Sequence, residues 1–480
     1  MAKQYETVIG LEVHVELSTA TKIFCGCRTD FGGEVNTQTC PVCTGMPGSL
    51  PVLNKAVVEY ALKVGEALNC RVNQYCRFDR KNYFYPDNPQ NYQISQLYLP
   101  ICSDGWLEIS TEAGTRRIGI HEMHMEEDAG KLLHDEWEDC SLVDYNRSGV
   151  PLLEIVSEPD MRTAEEVIAY LEKLRMRCQY LKISDCKLQE GSMRVDVNLS
   201  IREVGSDKMG TRTEMKNLNS FKAIARAISS EKERQIELIE AGGVVIQETR
   251  RWDDNKETSY AMRSKEDAKD YRYFPDPDLQ PVAISDEWIA TIKKEQPEFQ
   301  ELKALRFQQE YELSEYDATV LTQNKHLAQL FEETAQISGN PKKSANWFMG
   351  EVFRQVKEKE LESEAVNFTP KHLADLILAI DKKEISQTNA KKVFEKVMDE
   401  DVEPLGYMKE EGLTMVTDEN AIEAVVDDVI KNNQKVVEEF LSGKEKVLGF
   451  LVGNVMKVMK GKADATKINL LIRAKIDELK

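Results

Sequence analysis

Alternation of apolar and polar residues dominates the first part of the chain. Over residues 7–17 (TVIGLEVHVEL) a strand's period of two sets Ile9, Leu11, Val13 and Val15 on one side and Glu12, His14 and Glu16 on the other. A second run over 193–201 does the same with Arg194, Asp196 and Asn198, and 211–219 shows a similar pattern. Turn signals at Phe31-Gly32-Gly33 and Pro86-Asp87-Asn88-Pro89 punctuate these runs. Helical periodicity predicts helices over 54–68, 163–181 and 221–241, and Thr163-Ala-Glu-Glu supplies an N-cap with acids in the first turn. The pattern is that of an α+β region ending near residue 293. Beyond it Gly and Pro thin out and charged helical patterns take over, with a break around Glu403-Pro404-Leu405-Gly406 and further helices over 420–430 and 434–441.

Size and charge narrow the reading. A chain of 480 residues forms two to four domains. Its 63 Lys and Arg face 83 Asp and Glu, a net charge of −20, which excludes a uniformly basic nucleic-acid coat. The exception is residues 443–480, where nine cations stand against four acids. With 41% hydrophobic residues, extensive disorder is not expected. The first ten residues lack a signal-peptide pattern, and no apolar run approaches a membrane span, so a cytoplasmic protein with no membrane partner is expected.

Several groupings carry possible chemistry. Glu12, His14 and Glu16 on one strand face suit a hard cation or acid–base work, or form an ordinary solvated face. His121 to Lys131 contains Glu126, Glu127 and Asp128 in succession, either an acidic turn in water or acids neutralised by a cation such as Mg²⁺. The spacing of His121, Glu122 and His124 is not that of the zinc-protease helix. Cys25, Cys27, Cys40 and Cys43 form two close pairs across a loop, suited to a structural Zn²⁺ site or else four free thiols. A catalytic zinc site of the nucleobase-deaminase type fits poorly, because Pro41 lies inside the second pair. Residues 80–87 (RKNYFYPD) and 270–276 (DYRYFPD) interleave cations with aromatic rings, as base-stacking surfaces and packed cores both do. No Walker-type phosphate loop and no dinucleotide glycine fingerprint is present.

Taken together, GLEVHVEL, RKNYFYPD, ISQ at 94–96, HMEEDAGK, DYNRSGVPLLEIVSEPD, EGSMRVDVNLSIR, GTRTEMKNLNSF, DYRYFPDPDL, IS at 385–386 and FLVGNVMKVMKGKA resemble the B subunits of aspartyl/glutamyl-tRNA amidotransferases, nearly end to end. The resemblance implies a cradle-like catalytic domain over 1–293 carrying the zinc-binding loop, a helical domain over 294–405 and a helical tRNA-binding tail over 406–480. It implies ATP-dependent phosphorylation of the side-chain carboxylate of misacylated tRNA(Gln) or tRNA(Asn). Amidation then follows with ammonia channelled from the glutaminase (A) subunit, in a heterotrimer that also holds a small third (C) subunit. A DNA partner is not expected. On this basis Glu12, His14, Glu126, Glu127 and Glu214 are expected around Mg²⁺, with Lys81 also catalytic. Tyr83, Arg194, Asp196, Asn198, Lys216 and Asn217 are expected to handle ATP and substrate. Lys457, Lys460 and Lys462 are expected to contact tRNA. The cysteine quartet occurs in only some relatives, which implies a structural role. The competing class, a non-enzymatic zinc-containing tRNA-binding adaptor, accounts for the cysteines and the tail but leaves the acid-and-His strands idle.

Overall fold

The computed structural model describes residues 4–135, 140–264, 270–415, 419–459 and 461–478. The chain divides into two compact units, Met1–Phe299 and Gln300–Lys480.

In the first unit the strands in chain order are β1 (Tyr5–Glu16), β2 (Arg71–Val72), β3 (Tyr75–Cys76), β4 (Asp79–Asn82), β5 (Tyr92–Ser95), β6 (Cys102–Thr111), β7 (Gly114–Glu127), β8 (Lys131–Asp135), β9 (Cys140–Asp144) and β10 (Pro151–Ser157). They continue with β11 (Met193–Glu203), β12 (Thr213–Lys216), β13 (Glu248–Asp253), β14 (Thr258–Ser264), β15 (Phe274–Pro275) and β16 (Val282–Ala283). Among the described residues nine of them form one sheet, ordered β14-β13-β12-β11-β1-β10-β7-β6-β2 and antiparallel except for the β12/β13 pair.

The predicted alternation of β1 is realised. Ile9, Leu11, Val13 and Val15 are buried on one face with Val195, Val197, Leu199, Leu153, Ile155, Met123 and Met125 from the neighbouring strands. Three helices cover that face: α1 (Lys55–Ala67) packs on β7, α2 (Ala164–Tyr180) on β6 and α3 (Phe221–Glu240) on β11. Thr163 caps α2 by accepting from the Glu166 amide, Asn54 caps α1 and Ser220 caps α3, each satisfying an amide that the helix itself leaves unpaired. With helices on one side only, the sheet keeps its polar side open, as antiparallel sheets do.

The second unit is helical and holds two apolar cores. One joins residues between Ala304 and Met408, the other residues between Ile422 and Ile476. Pro404 opens the helix Pro404–Glu410, and Met408 on that helix buries in the first core. No helix among the described residues is long and apolar enough to cross a membrane.

Candidate functional site

The open face of the sheet gathers acids and cations from five strands. Register places Glu12 opposite Asp196 and His14 between Arg194 and Glu154; Glu154 in turn faces His124, and Asn198 faces Glu214. Two groups of metal-ligating atoms result, each with its atoms within 4.8 Å of one another: His14, Glu126 and Glu154, and Glu12, Asp196 and Glu214. His14 Nε2 lies 3.5 Å from Glu126 and 3.4 Å from Glu154. The second group offers only carboxylate oxygens, the donor set of Mg²⁺, while the imidazole of the first also suits softer divalent ions.

A cavity of about 810 Å³ opens over this face. His14, Lys81, Tyr83, Glu126, Arg194, Asp196, Lys216 and Asn217 line it, whereas Glu12 and Asn198 line a neighbouring one of about 540 Å³. Cations and acids here fix one another. Lys216 reaches both Asp196 and Glu214, the latter at 2.9 Å. Arg194 donates to Asp128 at 2.9 Å, and Asn198 donates to Glu12 at 2.9 Å. Burial opposes the charge on Lys81, yet Glu126, Tyr273, Glu154 and Tyr271 together outweigh it and hold the ammonium above its ordinary pKa. Burial, with repulsion from Glu154 and Glu214, pushes Glu12 up. Burial and then Asp128 push Glu16 up to about 8. Burial likewise raises Tyr83.

The structure divides the residues expected around Mg²⁺. Glu126 and Glu127 end β7 rather than forming a turn, so their side chains diverge, and Asp128 follows the strand. Glu126 faces the cleft, whereas Glu127 turns to the other face, where its carboxylate accepts from the Ile94 amide at 2.9 Å and from Gln90. Glu12 and Glu214 join Asp196 instead of His14, so Asp196, expected to bind substrate, stands among metal-capable acids. Asn217 lines the cleft, but its amide donates to the Trp252 carbonyl at 2.9 Å and so holds the turn after β12, where its φ is +67°. Glu154, Asp128 and His124 belong to the site and were absent from the expected set. The lone acid within the apolar run Pro151–Ser157 was the available sign for Glu154.

Glu127 lines a separate cavity of about 330 Å³ together with Lys22, Cys25 and Cys43. The four sulfurs of Cys25, Cys27, Cys40 and Cys43 converge within 4.8 Å of one another, and the Cys40 amide donates to Cys43 Sγ at 3.2 Å. Four thiols so placed fit a tetrahedral Zn²⁺. Contact with Cys25, aided by the Cys40 amide and Lys22, lowers the Cys43 thiol to about 5, a group ready to be a thiolate ligand.

In the second unit Lys457 is exposed at the end of the helix Leu448–Val458, Gly461 adopts φ +70° where that segment turns, and Lys462 is half-buried. Lys460 lies outside the described residues. Part of the tail's positive excess is neutralised internally, since Lys475 pairs with Glu423 and Asp427, and Lys444 with Glu439.

Comparison with known proteins adds an independent line. The family described as GatB/GatE catalytic domain matches residues 7–290, and that described as GatB domain matches 329–476. A protein of Agathobacter rectalis, described as the B subunit of an aspartyl/glutamyl-tRNA(Asn/Gln) amidotransferase, is 62% identical over 470 residues, covering 98% of this chain and 99% of its own. Proteins of the same description from Lachnospira eligens (61%, covering 98% and 99%) and Caldicellulosiruptor bescii (55%, covering 99% and 100%) are similar over their full length.

Proposed function

Because the chain belongs to the family of aspartyl/glutamyl-tRNA(Asn/Gln) amidotransferase B subunits, we propose that its cleft amidates the side-chain carboxylate of Glu-tRNA(Gln), Asp-tRNA(Asn) or both after ATP has phosphorylated it. The observation that carries this reading is the pair of metal-capable groups set side by side on one sheet face, under a cleft that also receives Lys81, Lys216 and Arg194.

A carboxylate is a poor acyl donor because oxide would have to leave. Phosphorylation turns that oxygen into a phosphate leaving group, and ammonia then attacks the acyl carbon. His14, Glu126 and Glu154 would hold one divalent ion and Glu12, Asp196 and Glu214 a second, and ions held there would neutralise the polyphosphate. Lys81 sets an ammonium on the cleft wall for the oxygens of the transferred phosphoryl group. Arg194, steadied by Asp128, offers a planar fork to phosphate or carboxylate. Tyr83 and Lys216 complete the polar lining, and Lys216 and Asn198 fix the acids.

The cysteine quartet is read as a structural Zn²⁺ site, and the tail as the part that grips the tRNA body. Division into 1–293, 294–405 and 406–480, a cytoplasmic location and assembly with the glutaminase (A) and small (C) subunits complete the reading. An adaptor without catalysis gives no reason for acids and lysines to converge in one cleft. The test supplies the chain, reconstituted with those two partners, with misacylated tRNA and ATP labelled at its γ-phosphate. Label must reach the aminoacyl group when ammonia is withheld; its absence from competent complex overturns the reading.

A further inference from the structure

Lys22 is completely buried, and it lies beside the cysteines rather than in the cleft. Its ammonium has two partners, Cys43 Sγ at 3.4 Å and the Tyr145 carbonyl at 3.3 Å. A lysine removed from water needs a fixed negative partner, since an unpaired buried charge is expensive. Four thiolates around Zn²⁺ provide one, because the loaded centre carries two net negative charges and is itself partly buried. The single positive charge of the ammonium that donates to Cys43 offsets half of that charge.

The same contacts reach further. Segment 145–149 is held on one side by the cysteine loop: Lys22 donates to Tyr145, Ser148 Oγ donates to the Cys43 carbonyl at 2.9 Å, and the Ile23 amide donates to the Gly149 carbonyl at 3.0 Å. Gly149 takes φ +83°, and a Cβ there would stand 3.4 Å from that of Cys43, so the two segments lie in direct contact. On its other side the segment holds the cleft. Arg147 donates to the carbonyls of Ala129 and Gly130 at 3.0 and 2.8 Å and lies 3.4 Å from Asp128, the partner of Arg194, while the Gly149 amide donates to the Asp128 carbonyl at 2.9 Å.

We propose that Lys22 is a positioning residue of the four-cysteine centre, and that through Lys22 and segment 145–149 the loading of that centre fixes the Asp128–Arg194 pair at the cleft. The inference rests on the reading that the cysteines hold Zn²⁺. The outer partners of metal ligands typically change affinity by about 10–100-fold.

The test uses the purified full chain. Zn²⁺ affinity is measured by competition with a chromophoric chelator for wild type, Lys22→Met and Lys22→Gln. Lys22→Met should bind about 10–100-fold more weakly, with Lys22→Gln, which keeps an N–H donor, in between. If Lys22→Met does not fold, Lys22→Gln carries the comparison. Wild-type amide hydrogen exchange, with and without Zn²⁺ and with no variant involved, should show amides 148–150 and Asp128 losing protection when the metal is removed. Tight Zn²⁺ binding by wild type that the variants match within twofold overturns the role of Lys22. Unchanged protection at 148–150 and 128 overturns the link to the cleft. Wild type that binds no Zn²⁺ overturns the cysteine reading, and this inference with it.

Discussion

His124 Nε2 lies 3.1 Å from Glu154 Oε2, with the two residues in register across β7 and β10. Burial disfavours charge on both, yet each holds the other ionised. The Glu154 carboxylate keeps His124 well above its ordinary 6.5, and His124 keeps Glu154 well below its ordinary 4.5. Glu154, one of the metal-capable acids, is thereby kept anionic and held in place by a residue outside both metal-capable groups.

The pair's contribution to stability follows from these directions. The raised His124 contributes fully below 6.5 and is lost as pH rises through its folded value; the depressed Glu154 contributes above 4.5 and is lost as pH falls through its folded value. In metal-free protein His124→Gln should therefore cost about 3 kcal/mol between those limits, and less at alkaline pH. Urea unfolding across pH checks this. A constant difference up to strongly alkaline pH would count against it.

Glu126 and Glu127 should separate cleanly although they are adjacent. Glu126→Gln removes a cleft ligand and should slow tRNA-dependent ATP hydrolysis by about 10²-fold or more while glutamine hydrolysis in the reconstituted complex persists. Glu127→Gln should leave Mn²⁺ affinity at the cleft within about twofold, because it alters none of the grouped ligands. Burial raises Glu127 to about 8, so the folded state holds a proton that the unfolded state releases near 4.5. Wild-type stability accordingly falls as pH rises between those values, and Glu127→Gln should flatten that fall. Thermal unfolding at pH 5 and pH 8 measures it.

Elemental analysis of chain purified without chelators should find one Zn²⁺. Cys40→Ser should lose it and lower the melting temperature by about 2–4 °C, the shift expected for ~1–2 kcal/mol in a large domain, before specific activity per folded molecule falls. Protein free of zinc and equally stable would remove the cysteines from the account.

In the tail, exposed Lys457 and half-buried Lys462 should matter more than Lys475, which is already paired. Lys457→Ala with Lys462→Ala should raise KM for tRNA and reduce the salt dependence of binding by about one to two contacts, whereas Lys475→Ala should leave KM within about twofold. Filter binding across a salt series distinguishes them. Equal effects from all three would mean that the tail acts through packing.

Local rules made much of this protein readable from its sequence. Period-two alternation fixed which residues of β1 and β11 are core and which are polar, and the three helices begin within a residue or two of the starts read at 54, 163 and 221, with Thr163 legible as a cap because capping is a contact between near neighbours. The spacing of the cysteines likewise marked them as one cluster. What the sequence left open depends on which strands become neighbours. Pairing of β1 with β10 brings Glu154 to His14, and its pairing with β11 sends Glu12 to Asp196 instead, so one polar stripe is divided between two metal-capable groups. The end of β7 decides that Glu126 enters the cleft and Glu127 leaves it, since only a strand, and not the turn that three consecutive acids suggest, turns adjacent side chains to opposite faces. Lys22 gave no sign in the sequence at all. Its burial against Cys43 exists only because segment 145–149, more than a hundred residues away, folds over it.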